Sequence, residues 1–169
     1  MTPHKAVRLG DMSLTLLPVD HSVPGAAGLL IEAEGKRVLY SGDLRLHSRD
    51  TSWQEWIGRL GQEAPIDVLI TEGTLYGSPP RRCRTEDDVE RETVKLLEGC
   101  KGLGLARFSP TNLDRFISFH QAAQAMGRTL VVDLYGAFLH HLLHPPAIPK
   151  AKLRFLPFRP SQRGFAKKV

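Results

Sequence analysis

Arg37-Val38-Leu39-Tyr40-Ser41, broken at once by Gly42-Asp43, is the stretch on which the fold turns. Its apolar, β-favouring residues predict a strand, and the Gly-Asp that ends it sets a carboxylate just past the strand's C-terminus. Upstream, the polar turn Glu34-Gly35-Lys36 separates it from a second apolar run, Ala27 to Ala33. Before that, Ser13 to Val19 reads as a strand in which Pro18 marks an edge or an end. Connections this short predict an antiparallel meander. Downstream, Ser52-Trp53-Gln54-Glu55 has the form of a capping box, with Trp56, Ile57 and Leu60 following on one face of a helix. Ile66 to Thr71 is then a further strand, reached through a helical crossover and so parallel to the strand before it.

That topology has a chemical consequence. In a meander the first and third strands are parallel, so their C-terminal ends share one rim, and the crossover brings a third end to the same rim. Asp20-His21, Asp43 and Glu72 each stand just past one of these ends. Loops at the ends of parallel strands are common places for ligands. An imidazole with carboxylates is a donor set that Zn²⁺, Mn²⁺ or Fe takes. The same residues would also serve as loop caps and a surface imidazole, and topology by itself leaves both readings open.

The remainder reads as a second α/β run. Ser78-Pro79-Pro80-Arg81-Arg82 is a breaker-rich connector, which suggests two units, 1–77 and 78–169. After it the sequence predicts a helix from Thr85, capped by Thr85-x-x-Asp88, to Glu98, and a strand at Leu103 to Phe108. A helix is predicted from Ser109-Pro110 to Met126, a strand at Thr129 to Asp133, and a short helix at Leu134 to Leu143. Pro145-Pro146 would stop that helix, and Leu153 to Leu156 is strand-like.

The composition is that of a soluble globular chain, 169 residues with 41% hydrophobic and 24% charged. No apolar run is long enough to span a bilayer, and no apolar signal core follows the N-terminal charges. Two cysteines are too few for a disulfide framework or a thiolate zinc site, which points to a cytoplasmic setting. Charge is uneven. Residues 1–80 hold seven Lys/Arg against ten Asp/Glu, and residues 81–169 hold sixteen against eight. A basic half of this kind suits a polyanion, and equally a solvated surface.

The words around the rim narrow the reading. Val19-Asp20-His21-Ser22-Val23-Pro24-Gly25-Ala26 and Leu39-Tyr40-Ser41-Gly42-Asp43-Leu44-Arg45 resemble two motifs of the metallo-β-lactamase superfamily, and more narrowly of its β-CASP nucleases. Ile70-Thr71-Glu72-Gly73-Thr74 is similar to the acidic motif that opens the β-CASP insertion. The stretch from Phe108 and Gly127-Arg128-Thr129-Leu130-Val131-Val132-Asp133 resemble the core of that insertion. The fold implied is α/β: part of the metallo-β-lactamase αββα core, followed by part of a β-CASP-like α/β domain. The resemblance implies that His21 and Asp43 bind metal, Asp43 as a bridge between two ions. It implies that Asp43 and Glu72 are the catalytic carboxylates, that Asp20 orients a ligand by hydrogen bonding, and that Gly42 lets the chain turn as it presents Asp43. It implies a divalent metal, zinc or manganese, and RNA or single-stranded nucleic acid as substrate.

The superfamily's His-x-His-x-Asp-His is absent, and only His4 precedes His21. The expectation is therefore a fragment of a metal-dependent hydrolase, inactive as an isolated chain. The alternatives are a non-catalytic nucleic-acid-binding module, or a module completed by a partner chain carrying that motif. His47, His120, His140 and His141 are read as loop or helix residues, not ligands.

Overall fold

The computed structural model describes residues 3–79 and 84–143. Five strands, β1 (Val7–Leu9), β2 (Met12–Pro18), β3 (Ala27–Ala33), β4 (Lys36–Tyr40) and β5 (Val68–Ile70), form one sheet in that order. Four helices accompany it: α1 (Ser52–Gln62) between β4 and β5, then α2 (Glu86–Glu98), α3 (Leu113–Ala125) and α4 (Leu134–Leu143). The class is mixed α/β, as the sequence implies. Strands β2, β3 and β4 are the expected meander, and β5 runs parallel to β4. Strand β1, which the sequence reading does not contain, adds to the outer edge of β2.

The register sorts the sheet into two faces. Leu17 and Leu30 are buried with Trp56 of α1, and Val19, Leu39, Trp53, Leu60 and Ile66 pack around them. The Trp56 indole nitrogen also donates to the Pro18 carbonyl at 2.6 Å, tying the helix to the end of β2. On the opposite face, one row of cross-strand partners runs Val7, Leu14, Ile31, Val38, Val68. The next row is Leu16, Leu29, Tyr40, Ile70. Both rows are wholly apolar, yet none of their residues is fully buried.

Helix ends show where local signals compete. Helix α2 carries the expected capping box: the Thr85 hydroxyl accepts from the Asp88 amide and the Asp88 carboxylate from the Thr85 amide. The box expected at Ser52 does not form. Thr51 is the N-cap without a side-chain bond, and the Asp50 carboxylate takes the Ser52 amide at 2.8 Å, an Asx-type contact that occupies the amide Glu55 would have reached in the box. Helix α3 begins at Leu113, not at Pro110. The Ser109 and Thr111 hydroxyls bond to each other at 2.8 Å in a preceding turn, and Asn112 caps the Arg115 amide instead.

The strands expected at 103–108 and 129–133 do not form. Neither segment pairs with another, and Leu103, Leu105 and Val131 are largely exposed. β propensity describes a fit to neighbouring strands, and no strand lies beside these segments among the described residues. Pro80, Arg81 and Arg82 of the connector, Pro145-Pro146 and the strand-like Leu153 to Leu156 lie outside the described residues.

Candidate metal centre

Three strand ends deliver the predicted residues to one rim. His21 follows β2, Asp43 follows β4 and Glu72 follows β5. The His21 Nε2 stands 4.0 Å from the Asp43 Oδ2. The imidazole is about one-third exposed, and Asp43 is open to solvent.

Gly42 explains how Asp43 is presented. Its φ of +63° is in the left-handed region, and a Cβ there would stand 3.0 Å from the Ala27 carbonyl oxygen. Both the turn and the close approach therefore call for glycine. Gly25 shares the positive φ but has open space around it. On the strand side, the buried Ser41 hydroxyl reaches the Thr71 hydroxyl at 3.1 Å, and the Ser41 amide bonds to the Ile70 carbonyl. The loops after β4 and β5 are thus tied together below the rim. Glu72 ties them above it, accepting from the Leu44 amide at 2.6 Å. The Thr74 hydroxyl and then the Leu44 amide hold the Glu72 carboxyl below its ordinary pKa, with His21 adding a smaller attraction. Glu72 thereby braces the Asp43 loop through its backbone.

Asp20 has partners other than the expected ligand. It is buried, and one oxygen accepts from the Arg45 Nε at 2.7 Å while the other accepts the amides of His47 and Ser48 at 2.8 Å. Burial raises its pKa, but these donors outweigh burial and hold the carboxyl below its ordinary value. A buried carboxylate needs charged or amide donors, and the loop at 45–48 supplies them where the imidazole does not. Asp20 therefore organises the loop that begins at Asp43, and reaches His21 only as its chain neighbour.

Sequence reading passed over that loop. Arg45 bridges Asp20 and Asp114, the latter at 3.1 Å, and Arg49 reaches Asp87, Glu90 and the Ser118 hydroxyl. Residues 45 and 49 thus join the rim to α2 and α3. The available signal was two arginines, Arg45 and Arg49, four residues apart in one loop. Beneath them, fully buried Glu86 pairs with Arg115 at 3.0 Å and takes the Ser118 hydroxyl at 2.9 Å. Burial raises the Glu86 pKa, and these two donors overcome it to hold the carboxyl below its usual value. Asp114 goes the other way, raised by burial despite Arg45.

The other histidines stand apart from this arrangement. His140 is buried against Phe116, and burial lowers its pKa by disfavouring the charged ring. The His120 ring lies nearly parallel to that of Phe116 with centroids 6.1 Å apart, and burial likewise lowers its pKa. His47 donates its amide to Asp20.

The donor types on the rim suit a divalent metal, but their number does not suffice. A catalytic zinc takes about three protein ligands and a water. Among the described residues no group of three or more His, Cys, Asp or Glu is arranged to hold a metal ion. The rim brings together one imidazole and one carboxylate, His21 and Asp43.

Comparison with known proteins agrees with this architecture. Residues 1–111 match the family described as "Beta-lactamase superfamily domain". The chain is 27% identical over 114 residues to Ribonuclease J of Mycolicibacterium smegmatis, which covers 65% of this chain and 20% of that protein. It is 32% identical over 105 residues to Ribonuclease TTHA0252 of Thermus thermophilus, 62% of this chain and 22% of that protein. The chain thus spans about a fifth of the length of these relatives. A crystal structure of a protein of unknown function from Enterococcus faecalis aligns with a TM-score of 0.58 at 25% identity, over 72% of this chain and 30% of that one.

Proposed function

Because the chain belongs to the beta-lactamase superfamily, we propose that it is a module of a metal-dependent phosphodiesterase acting on RNA. The observation that carries the reading is the His21–Asp43 pair at 4.0 Å on a rim braced by Glu72. Membership of the superfamily implies a divalent metal. His21 and Asp43 are the ligands this chain contributes, and zinc or manganese is the ion their chemistry suits. The two ribonucleases among its relatives support RNA as the substrate class. The chain's own residues do definable work here. Gly42 and Ser41 aim Asp43, Glu72 fixes the loop behind it, and Asp20 with Arg45 fixes the loop that follows.

The reading extends to organisation. Residues 1–77 form the lactamase-type unit and 78–169 a β-CASP-like unit with a basic tail, in a cytoplasmic protein. Two donors hold metal weakly, so a single chain has little hydrolytic activity. The test is metal retention and cleavage of a labelled single-stranded RNA, with and without Mn²⁺ or Zn²⁺, at low protein concentration. The native chain retains less than a full equivalent of metal and cleaves slowly. His21→Ala and Asp43→Asn abolish both. Unchanged metal retention in the two variants contradicts the site.

A second reading, a nucleic-acid-binding module without catalysis, rests on the basic half of the sequence. The described surface lends it less. Residues 84–143 hold seven Lys/Arg against eight Asp/Glu, and Arg84, Arg91 and Arg115 are paired with carboxylates.

A further inference from the structure

Asp20 and Arg45 stand beside the two rim residues in sequence, and they are bonded to each other twice. The Arg45 amide donates to the Asp20 carbonyl at 2.8 Å, and the Arg45 Nε donates to the Asp20 carboxylate at 2.7 Å. A third residue enters from the second region: the Arg45 Nη2 donates at 3.1 Å to Asp114, in the first turn of α3. We propose that Arg45 is a positioning residue, through which the first turn of α3 sets the spacing of His21 and Asp43. The inference rests on the reading of the rim as a metal site.

The chain leaves little slack between these bonds and the rim. His21 follows Asp20 directly, and Asp43 stands two residues before Arg45, so at about 3.8 Å per backbone step a shift of either partner reaches the rim. Glu72 holds the intervening Leu44 amide at 2.6 Å, which leaves the loop little room to absorb such a shift. The bridge is also shielded from water. The side chains of Asp20, Arg45 and Asp114 are 1%, 14% and 20% exposed, whereas Arg84 and Glu92 form an open surface pair. Open pairs hold little, and shielded charge-assisted bonds hold more.

Charge explains why this residue is an arginine. Among the described residues, Arg45 is the only Lys or Arg paired with Asp20 or with Asp114. The two carboxylates repel each other, so without the cation between them the Asp20 loop and α3 would be driven apart. A guanidinium serves both at once, with Nε for Asp20 and Nη2 for Asp114, where a lysine ammonium is a single point on a flexible stem. The Arg49 amide, in the same loop, adds a further attraction for Asp114. The first turn of α3 thus grips the segment after Asp43 at both ends.

The experiment is a Zn²⁺ titration of the full chain followed at the His21 ring nitrogens by NMR, with amide hydrogen exchange measured in the absence of metal. Asp114→Asn removes the α3 end of the bridge and leaves the Asp20–Arg45 pair, so the fold is kept. Arg45→Lys should weaken Zn²⁺ at His21 about tenfold, the lower end of what residues orienting a metal ligand contribute, and Asp114→Asn about threefold. Asp114→Asn added to Arg45→Lys should cost nothing more, because lysine no longer spans the two carboxylates. In both single variants the amides of Leu44, Arg45, His47 and Ser48 should exchange faster, while those of α2 and the sheet keep native rates. Thr85→Ala, which loosens α2 at its cap, should leave the Zn²⁺ response unchanged. A native Zn²⁺ response with native exchange in Asp114→Asn would reduce the bridge to an ordinary ion pair and overturn the positioning role, with the metal reading intact. An equal loss in Thr85→Ala, or additive losses in the double variant, would overturn it in the same way. No response of His21 in the native chain overturns the metal reading, and the positioning role with it.

Discussion

In residues 7–70 every apolar stretch finds a neighbour in the sheet, whereas in 84–143 only the helices form. The contrast follows from where each element's hydrogen bonds go. A helix satisfies its backbone internally, so α2, α3 and α4 need only caps and one packed face. A strand depends on residues far away in sequence. The meander supplies such partners within a few residues, and the segments at 103–108 and 129–133 have none among the described residues. The two regions also differ in what their cores contain. The core that holds the sheet to α1 is apolar, around Trp56, whereas the second region buries an ion pair, Glu86 with Arg115, and the Ser118 hydroxyl beside Phe116, Ile117, Ala122 and Ala123.

Trp56→Ala should break the first region most severely. It removes a buried indole and its bond to Pro18, a loss of about 3–5 kcal/mol for such core truncations. Chemical denaturation followed by Trp53 fluorescence should show the sheet transition shifted or lost. The helix pair, followed by far-ultraviolet circular dichroism, should keep its own transition. Loss of both together would mean that the regions do not differ in the way described.

Glu86→Gln should weaken the second region, by about 2–3 kcal/mol. That is below the figure for a fully buried pair, since Arg115 is partly in water. The effect has a pH signature. The folded pKa of Glu86 is depressed, so its contribution is complete above the ordinary glutamate value of about 4.3 and is lost as pH falls through the lower folded value. Native and variant stabilities should therefore converge in acid. A constant difference at all pH values would assign the effect to packing instead of charge.

The smallest expected effect concerns two caps that look alike in sequence. Thr85→Ala removes a formed capping box and should cost about 1 kcal/mol. Ser52→Ala removes no side-chain cap bond and should cost close to nothing. Equal losses in urea titrations would erase the distinction.

The legible and illegible parts of the sequence divide along the same line. The meander, the parallel β5 and the gathering of His21, Asp43 and Glu72 on one rim follow from short turns and strand parity, both local properties. The partner of Asp20 could not be read locally, because Arg45 and the amides of His47 and Ser48 come from a loop more than twenty residues on. Strand β1 escaped for a similar reason: three residues carry too little pattern, and pairing with β2 defines them. At Ser52 the cap pattern does not form, and the Ser52 amide that Glu55 would have taken in the box is bonded to the Asp50 carboxylate.

Paramagnetic broadening distinguishes a metal-binding rim made by the three strand-end loops from any other site on the chain. Trace Mn²⁺ added to the isotope-labelled chain should broaden the amides of residues 20–22, 42–44 and 71–73 first, and leave those near His120 and His140 sharp. Broadening centred on those histidines, or spread evenly over the acidic surface, would contradict the account.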